Sequence, residues 1–391
     1  LESLESGGIS LYVHIPFCEK KCGYCDFYSL VPLSSPIVEN FLTQLRFHIN
    51  YAQMLFDSHH VKVNTLYFGG GTPSLISPRQ WDHLLNCIQS SFTFHSAVSP
   101  LQQISIEANP ESLTREHLDV WQDRGVGRIS LGLQSMNNRC LTSLDRLASR
   151  ESNLKALKLI SSHWRGTWSA DLLSSIPGRC WREEEKDLIE LLGFNPPHVS
   201  YYHLILEEGT PFFEKHKEEE LPSENWQRGK DLLLKEGYRW EEVSNFALPG
   251  YEGLHNQAYW ELKSYLGLGP GAHSTLLYNH EKSPNLIGKR WEGPKNLKAF
   301  LTNPPGKFYS TEDLDSKTLG FERIMMGLRC DSPLSFEELD VRFGIKRQFL
   351  KSRFKQCQEK YRPKWDEDYF WLPFEQRLWL DTFLKDLIEV W

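Results

Sequence analysis

A chain of 391 residues, 40% of them hydrophobic, can bury a large core, and the usual size range of domains divides it into one big domain and a smaller one. Its 44 basic and 51 acidic residues leave a formal charge of −7 with no Lys/Arg block, which argues against a nucleic-acid partner. No stretch is apolar for long enough to span a bilayer, and the acidic first residues lack the regions of a signal peptide, so a cytoplasmic location is expected.

Strand-like and helix-like patterns alternate through roughly the first two thirds of the chain, the mark of repeated βα units on a parallel sheet. The first strand, at 11–15, runs into a polar loop where Cys18, Cys22 and Cys25 stand in Cys-x3-Cys-x2-Cys spacing. Thiolates ligate 4Fe-4S clusters and a closed cluster takes four of them, so a set of three leaves one iron open to a small chelator such as S-adenosylmethionine (SAM). A structural zinc site would need a second ligand pair, and none follows. Ordinary buried cysteines are the plainer alternative, but Glu19, Lys20, Lys21, Gly23 and Asp26 make this loop polar. Cys87, Cys140, Cys180, Cys330 and Cys357 are scattered singly and fit that plainer role. In a reducing compartment the clustered three bind metal or do chemistry sooner than they form disulfides.

Further strands are predicted at 65–68, 104–108, 128–133, 168–173 and 199–206, several as the continuous apolar runs of strands covered on both faces. Between the second and third, Ser77 as N-cap, Pro78 at the first helical position and Gln80 closing a capping box start a helix that puts Trp81, Leu84, Leu85 and Ile88 on one face. Six units are too few for a closed eight-stranded barrel, so the expected fold is α/β, a partial (β/α)6 barrel. Its polar and glycine motifs lie at the carboxyl ends of the strands, where such folds place their sites. If 254–260 is helical, His255 and Tyr259 share a face. Asn303-Pro-Pro-Gly306 reads as a linker, after which helical patterns at 319–328 and 374–390 suggest a small, mostly α domain. The expected division is 1–240 (barrel), 241–302 (connecting segment) and 303–391 (C-terminal domain).

Tyr12-x-His-Ile-Pro-Phe-Cys18 with its cysteines, Gly69-Gly-Gly-Thr-Pro73, Glu107-Ala-Asn-Pro110, Arg128-Ile-Ser-Leu-Gly-Leu-Gln134 and Asp171 stand in the order and spacing of radical SAM enzymes. The chain resembles those related to oxygen-independent coproporphyrinogen oxidase, and Gly267 to Ser274 and Glu322 to Arg329 extend the likeness over nearly its whole length. Within that family it is most similar to HemW-type haem chaperones, because His255-Asn-Gln-Ala-Tyr-Trp260 matches their His-Asn-x-x-Tyr-Trp haem signature. The oxidases carry a fourth cysteine two residues after the third, where this chain has Phe27.

The resemblance implies three cofactors and their contacts. Cys18, Cys22 and Cys25 would hold a 4Fe-4S cluster. Gly70, Gly71 and Thr72 would meet the methionine amino group of SAM, Arg146 its carboxylate, and Glu107, Gln134 and Asp171 its ribose and methionyl parts, while Tyr12 and Tyr24 would line the cluster and adenine. His255, Asn256, Tyr259 and Trp260 would bind haem, with His273 a weaker candidate ligand. Read singly, each has a bland alternative: Glu107 a solvated carboxylate, Gln134 a turn residue, Arg146 a surface charge, His255 a core histidine.

The family's usual Gly-Arg-x-His and Gly-Leu-Pro-x-Gln-Thr read Asp145-Arg-Leu-Ala148 and Ser175-Ile-Pro-Gly-Arg-Cys180 here, which fits a carrier better than a demanding oxidase. The leading expectation is a chaperone that delivers haem to respiratory haem proteins, with peripheral membrane contact and homodimerisation compatible with that role. The rival is a coproporphyrinogen III oxidase that cleaves SAM to a radical; a degenerate structural protein is a third reading. Whether SAM is cleaved stays open in the sequence.

Overall fold

The protein is represented by a computed structural model that describes residues 4, 5, 7–32, 34–57, 61–94, 104–279, 285–307 and 310–389. Strands β1 (Ile9–Ile15), β2 (Val63–Gly70), β3 (Ile104–Ala108), β4 (Arg128–Gln134), β5 (Thr167–Ser174) and β6 (His198–His203) lie side by side in sequence order, every neighbouring pair parallel. The predicted six-unit partial barrel is therefore what the chain forms, with strand ends shifted by up to three residues.

The edges were not predicted. Arg239–Glu242 (β7) and Asn245–Ala247 (β8) form a hairpin whose second strand pairs antiparallel with β6. At the other edge Tyr265–Leu268 (β9) adds a seventh parallel strand beside β1, and His273–Asn279 (β10), Leu286–Glu292 (β11) and Ser310–Leu314 (β12) continue antiparallel, making a sheet of 12 strands. These late strands are short or charged, and pairing along the open edges supplies the stability that their side-chain pattern does not advertise.

The expected continuous apolar runs alternate instead. On β2 to β6, Thr65, Tyr67, Ser105, Glu107, Arg128, Ser130, Ser169, Asp171, His198, Ser200 and Tyr202 occur at every second position, and eight of these eleven line a narrow polar interior. Their neighbours Leu66, Phe68, Ile104, Ile106, Ile129, Leu131, Ala170, Leu172 and Val199 belong to the apolar core. That core includes the helices outside the sheet, with Trp81 edge-on to Phe68 at 4.8 Å and to Trp121 at 5.8 Å. The helix Pro78–Ser91 starts at Ser77 with the predicted capping box.

The Asn303 segment is held against the helix Ser35–Asp57, Gln44 Nε2 donating to the Asn303 carbonyl at 2.9 Å. Beyond it, helices Ser316–Gly327, Phe336–Phe343, Arg347–Tyr361 and Leu380–Glu389, with a three-stranded sheet, build a second core on Leu319, Ile324, Phe354, Phe370 and Phe383. Leu262, Leu277, Leu286 and Leu314 join that core from the large sheet and the turn before β9. The predicted terminal helix is a 3-10 turn over Phe374–Trp379 followed by the α-helix; Val390 lies outside the described residues.

Candidate functional site

The loop after β1 is pinned at several points. Cys18 N donates to the Leu30 carbonyl at 3.0 Å, Leu30 N to Pro16 at 2.8 Å, and Gly23 N to Leu144 at 3.1 Å. The loop after β2 closes against it through Gly71 N to Ile15 (2.8 Å) and Thr72 N to Phe17 (2.6 Å). A side chain at Gly70, whose φ is +114°, would meet the His14 ring at 2.5 Å, and one at Gly71 would meet the Phe17 carbonyl at 2.5 Å. These glycines are thus required first by the packing of two protein loops. Gly71→Ala is expected to displace the cysteine loop and lower the temperature at which the protein unfolds, checked by thermal denaturation.

Both loops open on a cavity of about 460 Å³ at the carboxyl ends of the parallel strands. Its walls bring together Cys18, Cys22, Cys25, Tyr24, Gly70, Gly71, Thr72, Glu107, Gln134, Arg146 and Asp171, residues taken from six separate stretches of the chain. Tyr12 is a correction: it lies deeper in the barrel, its ring 6.2 Å from Tyr67 and its hydroxyl 3.1 Å from His14 Nδ1, off the cavity wall. It faces inward because it is two residues before His14 on a strand, and the wall is made by strand ends.

Arg146 is the polar centre. Its Nη2 donates to Asn109 Oδ1 (3.0 Å) and to the Gly132 carbonyl (2.8 Å), its Nη1 to Cys22 Sγ (3.5 Å), and its buried Nε has no protein partner. Burial opposes its charge, but Tyr24, Cys22 and Glu111 more than offset this, so Arg146 holds its proton more firmly than usual. Asn109 was missed as a site residue: besides accepting from Arg146 it donates from Nδ2 to Thr72 Oγ1 at 3.0 Å, tying three strand ends together. Its signal was its place in the Glu107-Ala-Asn-Pro motif. His203, at the end of β6, was missed too and lines the cavity.

Glu107 accepts from the Tyr67 hydroxyl (2.9 Å) and from Gly70 N (3.1 Å). Burial, aided by the charge of Asp171, outweighs those bonds and pushes its carboxyl up to about 7. Burial likewise raises Asp171 to about 6, against hydrogen bonds from Ser200 and Ser130. Both carboxyls therefore prefer their proton in the fold, so the stability they contribute is full below the ordinary carboxylate range and is lost as pH rises through 6 to 7. Urea unfolding of Glu107→Gln is expected to show a weaker fall in stability between pH 5 and 7 than the parent.

Gln134 ends β4 at φ +66°, a left-handed conformation rare outside glycine, and Asp145 and Ser175 share it at +58° and +60°. Outside Arg146, polar residues of the two altered motifs make contacts within the protein. Asp145 pairs with Lys20 at 3.1 Å, and Arg179 makes a buried pair with Asp187 at 3.0 Å, whose carboxylate also takes the Ser135 hydroxyl at 2.6 Å.

All eight cysteines are free. Among the described residues no three His, Cys, Asp or Glu side chains converge on one ion; Cys18, Cys22 and Cys25 all line the same cavity. Burial raises the Cys18 and Cys25 thiols, so metal binding there releases protons.

The Radical SAM superfamily model matches residues 12–192, a span that includes every residue of the cavity named above except His203. A protein named heme chaperone HemW from Lactococcus lactis subsp. lactis is 32% identical over 85% of this chain and 85% of its own length. The chain belongs to the HemW-like branch of the radical SAM family. The Escherichia coli K12 protein of the same name is 29% identical over 96% of the chain and 97% of its own length. A Bos taurus protein named radical S-adenosyl methionine domain-containing protein 1, mitochondrial, is 34% identical over 68% of the chain. The solved structure of E. coli coproporphyrinogen III oxidase (HemN) superposes with a TM-score of 0.81 over 97% of the chain and 90% of its own, at 20% identity, which shows a shared fold. Membership of this family implies a 4Fe-4S cluster and SAM.

The signature residues lie elsewhere. The helix Leu254–Trp260 packs on β2 beneath the cavity. His255 is buried, with Nδ1 2.8 Å from Thr65 Oγ1, Nε2 3.0 Å from the Tyr259 hydroxyl, and its ring stacked on Tyr67 at 5.1 Å. Burial lowers its pKa to about 3, so it is neutral. Trp260 lines a second cavity of about 280 Å³ that includes Glu242 and Arg323, and Asn256 reaches it too. The expectation that His255 and Tyr259 share a face holds, but no one cavity takes in all four signature residues: His255 and Asn256 line the narrow polar interior, Asn256 and Trp260 the second cavity. His273 is at the surface, 3.3 Å from Glu292.

Proposed function

We propose that this protein is a haem chaperone that binds haem, a 4Fe-4S cluster and SAM, and that it delivers haem to respiratory haem proteins from a compartment where thiols stay reduced. What carries the reading is likeness to proteins named heme chaperones along nearly the whole chain, haem-signature segment included. Phe27 supports it. This residue sits on the rim of the large cavity, 68% exposed, where related oxidases have a fourth cysteine.

Cys18, Cys22 and Cys25 would hold the cluster, which when bound would supply an open iron and an electron. Arg146 presents a fixed cation with an unpartnered buried Nε beside Cys22, suited to an anionic group. Glu107 and Asp171, partly protonated near neutral pH, can donate as well as accept hydrogen bonds. Gln134 and Thr72 add polar groups to the same wall. Arg146→Ala is expected to weaken SAM binding by roughly 1.5 to 3 kcal/mol, the range for a hydrogen bond to a charged group, read by titrating the reconstituted protein. An anaerobic preparation assayed for iron, sulfide, haem uptake and coproporphyrinogen decarboxylation tests the whole reading: haem transfer without decarboxylation is expected, and decarboxylation without haem uptake would replace it with the oxidase.

A further inference from the structure

The inward polar side chains of β4, β5 and β6 form a directed line. Ser169 of β5 is in register with Ser130 of β4 on one side and with His198 of β6 on the other. Its Oγ donates to Ser130 Oγ at 2.9 Å, and Ser130 Oγ donates to the Asp171 carboxyl at 3.1 Å. Each hydroxyl has one proton, so both are turned toward Asp171 and the Ser169 oxygen is left to accept. At the other end the His198 ring is buried, with Nε2 3.5 Å from Glu241 Oε2 and with Nδ1 meeting no protein partner among the described residues. Ser169 and His198 both line the narrow polar interior, whose volume is about 40 Å³. One water needs roughly 10 to 15 Å³ of such space and a few polar partners, and Ser200, Asn245 and Arg128 on the same wall add to those two. This interior borders both larger cavities. Ser130 and Tyr202 line it and the cysteine cavity, while Gly253 and Asn256 line it and the second cavity. Glu241 lines that second cavity together with the exposed Arg239, Asp331 and Ser332.

We propose that the barrel interior is a water-binding site that completes a proton path from Glu241, on the second cavity, to Asp171, on the cysteine cavity. The proton leaves the Glu241 carboxyl for His198 Nε2 as His198 gives its Nδ1 proton to the water. The water passes a proton to Ser169, Ser169 to Ser130, and Ser130 to the Asp171 carboxylate. Every group between the ends gains one proton and gives one up, so the net change is a carboxylate at Glu241 and a carboxylic acid at Asp171. Glu107, Arg128 and Arg146 act on Asp171, and Arg128, Glu242 and Glu252 on Glu241. Burial raises the two end carboxyls to about 6 and about 7, so they hold a proton with similar strength. Burial, with Arg128 close by, keeps His198 from retaining an extra proton, so the imidazole passes it on. The path gives Asp171 an exchange with solvent that does not use the mouth of the cysteine cavity, where bound ligands would stand.

The first test is a crystal structure of the full-length protein at a resolution that shows ordered water. Water is expected within hydrogen-bond distance of Ser169 Oγ and His198 Nδ1. An interior without it would overturn the proposal, whether or not the cysteine cavity takes a cluster and SAM. The second test is infrared spectroscopy of the reconstituted protein with SAM, mixed with heavy water at a pH below 6, where Asp171 carries its proton. The carboxylic C=O band of Asp171 is assigned by difference from Asp171→Asn. Ser169→Val is expected to slow its deuteration roughly tenfold or more, which corresponds to about 1.4 kcal/mol on the barrier. Ser169→Thr, of the same shape with a hydroxyl, is expected to restore the parent rate, and Glu241→Gln to slow it as Ser169→Val does. Parent-like exchange in both Ser169→Val and Glu241→Gln would mean that Asp171 exchanges through the cavity mouth, and would overturn the path. Slowing in Ser169→Val alone would overturn Glu241 as its far end, and equal slowing in Ser169→Thr would overturn the role of the hydroxyl. Should Ser169→Val fail to fold, Glu241→Gln still decides, since a parent-like rate there contradicts the path.

Discussion

Alanine at Cys18, Cys22 or Cys25 is expected to abolish the iron–sulfur cluster, while alanine at Cys87 leaves it at about four irons per chain, the content of a full 4Fe-4S site. The three loop thiols line the same cavity, and the loop that carries them is held by backbone bonds to Leu30, Leu144 and Phe212. Losing one thiolate leaves two protein ligands for a cluster that already has an open iron, with no other cysteine on that cavity wall to take its place. Cys87 lies on the helix Pro78–Ser91, packed against the apolar core. Iron and sulfide analysis after anaerobic reconstitution checks this; a parent-like content in any of the three loop variants would overturn the assignment.

Loss of His255 is expected to reduce haem affinity more than about a hundredfold, beyond the usual effect of altering a residue that only orients a ligand, and Trp260→Ala to impair binding through loss of aromatic contact area. Iron content should stay at the parent's level in both. The sites are separable because His255 rests on Thr65, near the start of β2, and the cysteine cavity lies past that strand's other end. His255→Ala also leaves the Tyr259 hydroxyl and the Thr65 oxygen without their partner, a cost of roughly 1 to 3 kcal/mol when such groups stay buried. Circular dichroism on the same samples therefore separates lost haem from lost fold. Haem absorbance and iron assay measured together give the result, and parent-like haem binding in both variants would remove the signature segment from the haem site.

Much of the site was legible because its signals are local. Cysteine spacing, the glycine run after a strand, and polar residues at strand ends are short-range patterns, and a parallel α/β fold brings such ends to one rim. That is why Cys18, Thr72, Glu107, Gln134, Arg146 and Asp171 meet in one cavity as expected. Tyr12, expected at the site from the resemblance alone, belongs to the barrel interior, some residues short of the rim. Asn109 was overlooked because its importance is relational, visible only once Arg146 and Thr72 are both beside it.

By itself the sequence determined the six βα units, the cysteine loop, the capped helix after Ser77 and the family, because hydrophobic period, capping chemistry and ligand spacing are properties of adjacent residues. Only the tertiary structure decided what the edges and the inside of the sheet do. The added edges join the sheet through β8 on β6 and β9 on β1, the latter pairing Ser10 with Tyr265, and the polar inward face of β2 to β6 is apparent only when the sheet curves round it. The setting of His255 is decided the same way, since Thr65 lies 190 residues earlier. A hydrogen bond across that distance leaves no pattern in the sequence, yet it ties the buried imidazole to β2.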